Sequence, residues 1–322
     1  MKWLERHYEK KVNPKELWNE VETVLVIGQN YSPGINPLKF NLDKSKANIS
    51  VYAQNYDYHN VIREKLILIQ EWLMDEFHIN SKIFVDSSPV MEKYFAQKAN
   101  IGWQGKHTNI VSKEFGSWLF LAEIFLPIKI SSDSELQDNC GSCNKCIDIC
   151  PTNAILDDNI IDARKCISYL TIEYRGPIPR SFRKKIGNKI YGCDDCLSIC
   201  PWNKFSKPTD EKKLKKNDFN KDLLFFLNFD EEKFKEYFLY SPIKRIGWIR
   251  FLRNVIIASG NSKNKILVKA IYNHLNNSNP IIRGSCVWSL LELQSNDEIE
   301  FLRNKLKNEK NKYVLFELGK FA

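Results

Sequence analysis

Nothing at the start of the chain reads as a secretory leader: "MKWLERHYEKK" is charged, and the first apolar run, "VLVIG", is far too short for a signal core or a membrane span. Without leader or span, the expected compartment is the cytoplasm and no membrane partner is expected. An acidic excess is missing too. Lys and Arg number 48 against 39 Asp and Glu, a net charge of +9 and a pI near 8.9, which favours an anionic partner, although a solvated basic surface gives the same balance. In a reducing compartment disulfides are not expected, so the 9 cysteines point to metal or redox chemistry. What is present suits a globular protein: 43% hydrophobic residues, 12% aromatics and 322 residues, enough for two or three domains.

Cys140, Cys143, Cys146 and Cys150, followed by Pro151, form C-x2-C-x2-C-x3-C-P, the bacterial ferredoxin run. Short spacers let three thiolates of one loop cap three irons of a cubane, while the fourth serves another cluster. A second set is therefore required. It lies in "YGCDDCLSICPW", where Cys193, Cys196, Cys200 and Pro201 repeat the last three cysteines, but Ile190 stands where the first belongs. The sole other thiol between the two runs, Cys166 in "DARKCISYLTIEY", completes the count of eight. One [4Fe-4S] cluster is thus assigned to Cys140, Cys143, Cys146 and Cys200, and the other to Cys150, Cys166, Cys193 and Cys196. Paired C-x2-C also builds zinc ribbons, but zinc does not require the triple-cysteine run ending in Cys-Pro. Cys286, on the apolar face of "GSCVWSLLEL", reads as core.

Ahead of residue 135 the pattern predicts strands in "VETVLVIGQNY", "SKIFVDSSP" and "SWLFLAEIFL" and helices in "YHNVIREKLILIQEWLMDEF" and "PVMEKYFAQKA". Their alternation suggests an α/β layer. Three segments are expected: residues 1–135, a ferredoxin-like module over 136–207, and a helical region over 208–322 that opens with the basic linker "EKKLKKND". Within the last, "SPIKRIGWIRFLRNVIIASGN" predicts a helix capped by Ser241, with Pro242 in its first turn and its end at Gly260. Arg245 matches Arg283 and Leu252 matches Leu290 at a period of 38, which fits a HEAT-like repeat or a plain bundle.

Basic residues cluster in "YRGPIPRSFRKKIGNKIYG": Arg175, Arg180, Arg183, Lys184, Lys185 and Lys189. Such a stretch can neutralise phosphates while tyrosines stack on bases, or it can offset negative clusters. Asp86 ends the strand "KIFVD" and precedes Ser87, Ser88 and Pro89, which read as a helix start. A carboxylate at that edge of an α/β layer faces the ligand crevice, or it merely caps. The loop "GWQGKHT" has glycines that could let a cofactor approach. "DYHNVI" begins like an Asp-x-His-x-x-Gly cobalt-ligand motif, but Ile62 replaces the glycine, so His59 is not assigned as a ligand.

Taken together, "VDSSPVMEKYFAQKANIGWQGKHTN", "CGSCNKCIDICPTNAI", "DARKCISYLTIEYRGPIP", "GNKIYGCDDCLSICPWNKF" and "RIGWIRFLRNVIIASGN" resemble the epoxyqueuosine reductases, cobalamin-dependent iron–sulfur enzymes that complete queuosine in tRNA. The resemblance implies an α/β cobalamin-binding domain like that of reductive dehalogenases, a two-cluster ferredoxin-like module and an all-α HEAT-like C-terminal region that helps hold tRNA. It implies electron flow from an external low-potential donor through the clusters to cobalamin, whose reduced cobalt attacks the epoxide-bearing ring. Asp86 occupies the position of the family's proton donor, and burial beside the corrin is expected to raise its pKa. Asp86, Lys106, His107 and Ser168 carry over as cofactor contacts, and Arg175, Arg180, Arg183, Lys184 and Lys185 are the candidates for tRNA. A monomer is expected. Family members carry a segment before the equivalent of "MKWLERHY", so the chain is expected to begin part-way into the first domain. The competing readings are a reductive dehalogenase, an electron-transfer adaptor and a nucleic-acid-binding protein with structural clusters.

Overall fold

The computed structural model describes residues 6–86, 88–157, 159–215 and 220–319. Part of the basic linker and Ser87 lie outside that set. The β-branched run of β1 (Thr23–Asn30) pairs along its length with β6 (Leu119–Leu126), from Thr23 opposite Leu126 to Asn30 opposite Leu119. β3 (Lys82–Phe84) pairs with the other edge of β6, giving the order β1-β6-β3. Between them come β2 (Asn48–Ile49), β4 (Trp103–Gln104) and β5 (Ile110–Val111). Apart from Glu123, β6 is apolar throughout, as a central strand covered on both faces must be.

The strands fall where the sequence places them, but both pairings in this sheet are antiparallel. Apolar runs identify strands without giving their direction. The crevice rule for parallel sheets therefore does not locate Asp86.

α1 (Tyr58–Phe77) spans the expected helix, with the Asp57 carboxylate accepting the His59 N–H at its start and His78 closing it in the left-handed region. Its buried Val61, Ile62 and Leu66 pack with Phe120, Ile124 and Leu126 of β6. α2 (Glu92–Lys98) begins three residues beyond Pro89, so Ser88 and Pro89 belong to a loop and not to a helix start.

The cysteine segment holds α3 (Lys145–Asp148), α4 (Ile167–Ile172), α5 (Arg180–Ile186) and α6 (Asp195–Ser198), together with β7 (Ile155–Asp157), β8 (Ile160–Ile161) and β9 (Lys189–Tyr191). β9 pairs in parallel with β2, tying this segment to the first.

Helices then run to the end of the described residues: α7 (Leu223–Leu227), α8 (Glu231–Tyr237), α9 (Gly247–Asn261), α10 (Val268–Asn273), α11 (Pro280–Leu293), α12 (Asn296–Lys305) and α13 (Lys312–Glu317). Ser241 does cap a turn, its Oγ accepting the Ile243 N–H, but the turn is a 3-10 helix over Pro242–Ile246. Gly247, at φ +73, ends that turn and is the first residue of α9. α9 and α11 approach closely at Gly260, where an added Cβ would lie 2.9 Å from the Ser289 Cα.

One hydrophobic cluster joins Phe226, Phe234 and Phe251 of this region to Ile49 and Ile190. Polar groups fasten the same junction. The buried Arg253 guanidinium donates to the carbonyls of Leu170, Tyr174 and Gly176, and the Asn254 amide donates to those of Thr171 and Ile190.

Candidate active site

The two cysteine runs fold alike. In the first, the Cys150 N–H donates to the Ile147 carbonyl at 3.2 Å, and in the second the Cys200 N–H donates to that of Leu197 at 3.2 Å. α3 and α6 carry Cys146 and Cys196 and pack together. All nine cysteines are free thiols. Cys146 has Cys140, Cys200 and Cys143 as electrostatic neighbours, whereas Cys196 has Cys166, Cys150 and, after them, Cys146. The folded chain thus brings the last cysteine of each run toward the other run's group, and Cys166 beside Cys150 and Cys196.

Two opposing effects act on these sulfurs. Burial pushes Cys193 and Cys196 well above the ordinary thiol range, and burial with the neighbouring Cys140 and Cys200 pushes Cys146 up to about 11. Yet N–H groups are aimed at sulfur: the Trp103 indole at Cys140 (3.3 Å) and the Ala154 amide at Cys150 (3.2 Å). Backbone donors also reach Cys166 from Ser168 and Tyr169, and Cys200 from Trp202. Such donors favour sulfur that carries charge, while burial makes a bare thiolate costly. Bound iron resolves the conflict. Cys286 lies in the core, as the sequence indicates.

A second set of groups gathers at Asp86, which adopts the left-handed region at φ +46. The Tyr58 hydroxyl donates to its Oδ2 at 2.5 Å, and His59 Nε2 lies 3.8 Å from the same atom. Tyr58 is fixed by stacking on Phe120 at 4.1 Å, and His59 by its Nδ1 contact with Asp57 at 2.7 Å. Both ring nitrogens of His59 thus face carboxylates. The Asp86 side chain is 59% exposed. One side of the carboxyl is therefore open to solvent.

Beside Asp86 two carboxyl groups, Glu92 and Glu123, are pushed up, and the sequence reading missed both. Glu92, which accepts the Asp86 N–H at 2.7 Å, is raised to about 7 by burial and by the Asp86 charge. Glu123 is 0% exposed, its carboxyl oxygens have no hydrogen-bond partner, and burial followed by the Glu92 and Asp86 charges raises it to about 9. Nothing in the sequence near Glu92 marks it, but a lone acid inside the apolar "LFLAEIFL" was a usable signal for Glu123. Lys93, exposed on α2, lies within electrostatic range of Glu92 and Asp86 and also of Cys196 and Cys166.

The carried-over contacts lie elsewhere than on an open face. Lys106 is buried with its Nζ donating to Asn144 in the cysteine loop, and His107 is buried between the Asn109 amide and Ser117. Burial lowers His107 to about 4, so it is neutral at pH 7. The glycines of "GWQGKHT" serve hairpin packing: a Cβ on Gly102 would meet the Val111 carbonyl at 2.5 Å. Ser168 is half-buried, with its N–H on Cys166.

Of the basic stretch, Arg183 must be withdrawn as a phosphate contact. It is 2% exposed, held by Glu317 at 2.7 Å and by the Ile178 carbonyl. Lys189 is likewise buried against Asp195 at 3.0 Å. Arg175, Arg180, Lys184 and Lys185 stay at the surface, although Arg180 also bonds Glu317 and Lys184 pairs with Glu292.

Residues 11–87 match the family model described as epoxyqueuosine reductase QueG, DUF1730, and residues 139–203 match a 4Fe-4S double cluster binding domain. The chain is 40% identical over 297 residues to an epoxyqueuosine reductase of Vibrio cholerae, covering 91% of this chain and 80% of that protein. It is 36% identical over 296 residues to that of Escherichia coli, covering 91% and 78%. A crystal structure of epoxyqueuosine reductase with an epoxyqueuosine-modified tRNA stem loop superposes with a TM-score of 0.90 at 30% identity, covering 97% of this chain and 84% of that one. The Bacillus subtilis enzyme, with its aspartate catalytic loop swung out of the active site, gives 0.89 at 29% identity, with coverage of 97% and 84%.

Proposed function

The chain belongs to the epoxyqueuosine reductase family, and from that premise we propose that it reduces the epoxide of epoxyqueuosine in tRNA to give queuosine. The observation that carries this reading is the nearness of two kinds of centre: Lys93 lies within electrostatic range of Asp86 and Glu92 and also of Cys166 and Cys196. Opening the epoxide to the alkene takes two electrons and two protons, and the oxygen leaves as water. The thiols suit [4Fe-4S] clusters that pass electrons singly from an external low-potential donor. The carboxyl set suits the protons.

Cobalamin is the proposed acceptor between the clusters and the epoxide, and when bound it supplies a strongly nucleophilic cobalt. The residues fit a group that lies against the open side of the exposed Asp86 carboxyl, next to His59, whose Nδ1 is held by Asp57. Asp86, Lys106, His107 and Ser168 would line it. Lys106 and His107, with buried side chains, would offer backbone. Asp86, oriented by the Tyr58 hydroxyl and by His59, would pass the proton to the leaving oxygen. The exposed Arg175, Arg180, Lys184 and Lys185 would face tRNA phosphates.

The division into 1–135, 136–207 and 208–322, the HEAT-like reading of the last segment, a monomeric state and a cytoplasmic setting belong to the same proposal. No helix among the described residues is long and apolar enough to cross a membrane.

Mass spectrometry of nucleosides from epoxyqueuosine-containing tRNA, incubated with the protein, reductant and cobalamin, tests it. Loss of one oxygen is expected. Asp86→Asn should lower the rate by roughly 10²–10⁴-fold with both clusters retained. An unchanged nucleoside with fully loaded wild-type protein contradicts the reading.

A further inference from the structure

Asp86 is held at two points on different elements. Its carboxyl meets Tyr58 and His59 of α1, while its amide N–H donates to the carboxylate of Glu92, the first residue of α2. Between these lies a left-handed turn at φ +46, a conformation that an L-residue rarely adopts. β3 ends at Phe84, and among the described residues the Asp86 amide makes no backbone hydrogen bond. Among the described residues, Glu92 is the acceptor for that amide, next to Val85, which is buried in the core. It is well anchored for this, because Ala96 of α2 is fully buried against Val26, Ile110 and Leu121.

We infer that Glu92 is a positioning residue for the reaction: by accepting the Asp86 N–H as a carboxylate it holds the loop after β3 in the turn that delivers the Asp86 carboxyl to Tyr58 and His59, and its protonation loosens that loop. The inference rests on the reading of Asp86 as the proton donor.

A charge-assisted bond is roughly twice as strong as a neutral one, so the grip depends on the state of Glu92. The charged and titratable groups facing Glu92 are Asp86 on the loop, Lys93 on its own helix, Tyr58 and His59 on α1, and Glu123 on β6. Burial and Asp86 push Glu92 up to about 7, so both of its forms are populated near neutrality. Above that value the loop is held. Below it, the hold weakens.

Hydrogen exchange of the peptide covering residues 84–91, corrected for intrinsic rates, is measured beside kcat and KM for the wild type, Glu92→Gln and Glu92→Ala across neutral pH. Wild-type protection should fall as pH drops through about 7. Glu92→Gln keeps a neutral carbonyl acceptor, so its protection should be intermediate and flat with pH. Glu92→Ala should lose protection at every pH and lose kcat by roughly tenfold or more, with little change in KM for tRNA. Wild-type protection and kcat in Glu92→Ala would overturn the inference, as would a pH-dependent Glu92→Gln matching the wild type. An Asp86→Asn enzyme running at the wild-type rate would instead overturn the donor reading, and loop protection in Glu92→Ala would still report on the latch separately.

Discussion

The thiol centre and the carboxyl centre are built in opposite ways. The thiols come from a short stretch of chain, and matching backbone turns, such as Cys150 N–H to Ile147 and Cys200 N–H to Leu197, set them in place. The carboxyl set draws on α1, the loop after β3, α2 and β6, and side chains do the holding: Tyr58 on Asp86, Asp57 on His59, Glu92 on the Asp86 amide. Local turns make a rigid cage that a single missing ligand disables. An assembly of distant side chains loses function by degrees.

Changing Cys166 to alanine should have the largest effect, since it removes the one proposed ligand that lies outside both cysteine runs. Turnover should vanish and bound iron should fall by up to half, as read by iron analysis and by the visible absorbance of the anaerobic protein. Wild-type iron with normal turnover would show that the second centre does not need this thiol, and the contrast between the two centres would need redrawing.

Glu317→Ala acts on the scaffold that both centres share. Glu317 is 0% exposed and binds Arg183, itself 2% exposed, so its removal strands a buried guanidinium at a cost of about 3–5 kcal/mol, measurable by denaturant unfolding. Both centres should weaken together. Selective loss of one would show that they fold more independently than the shared core implies.

Glu123→Gln gives a smaller effect with a defined sign. The folded value of Glu123 is raised to about 9 by burial, against about 4.3 in an unfolded chain, so folding takes up a proton between those limits. Wild-type stability contributed by this group is full below the lower value and is lost as pH rises toward the upper one, by at most about 1.4 kcal/mol per pH unit. The neutral amide should flatten that slope. Parallel pH–stability curves for the two proteins would show that Glu123 is ionised when folded.

The contrast also explains what could be read in advance. Which cysteines the fold brings together was legible because ferredoxin spacing is local, and the missing first cysteine at Ile190 pointed to Cys166. Strands and helices were legible from apolar pattern, with α1 matching residue for residue, while the antiparallel pairing of β6 between β1 and β3 was not, because pattern carries no direction. Arg183 reads as surface charge in sequence and is interior in the fold, since its partner Glu317 lies 134 residues away. Glu92 and Tyr58 gain their roles from meeting one side chain across the tertiary structure, which no spacing encodes.

Iron and acid-labile sulfide per chain, determined after anaerobic reconstitution, bear most directly on whether the eight sulfurs hold two electron-carrying cages beside Asp86. About eight of each is the expected yield for two [4Fe-4S] clusters. Zinc in place of iron, or no more than about four irons after exhaustive loading, would contradict it.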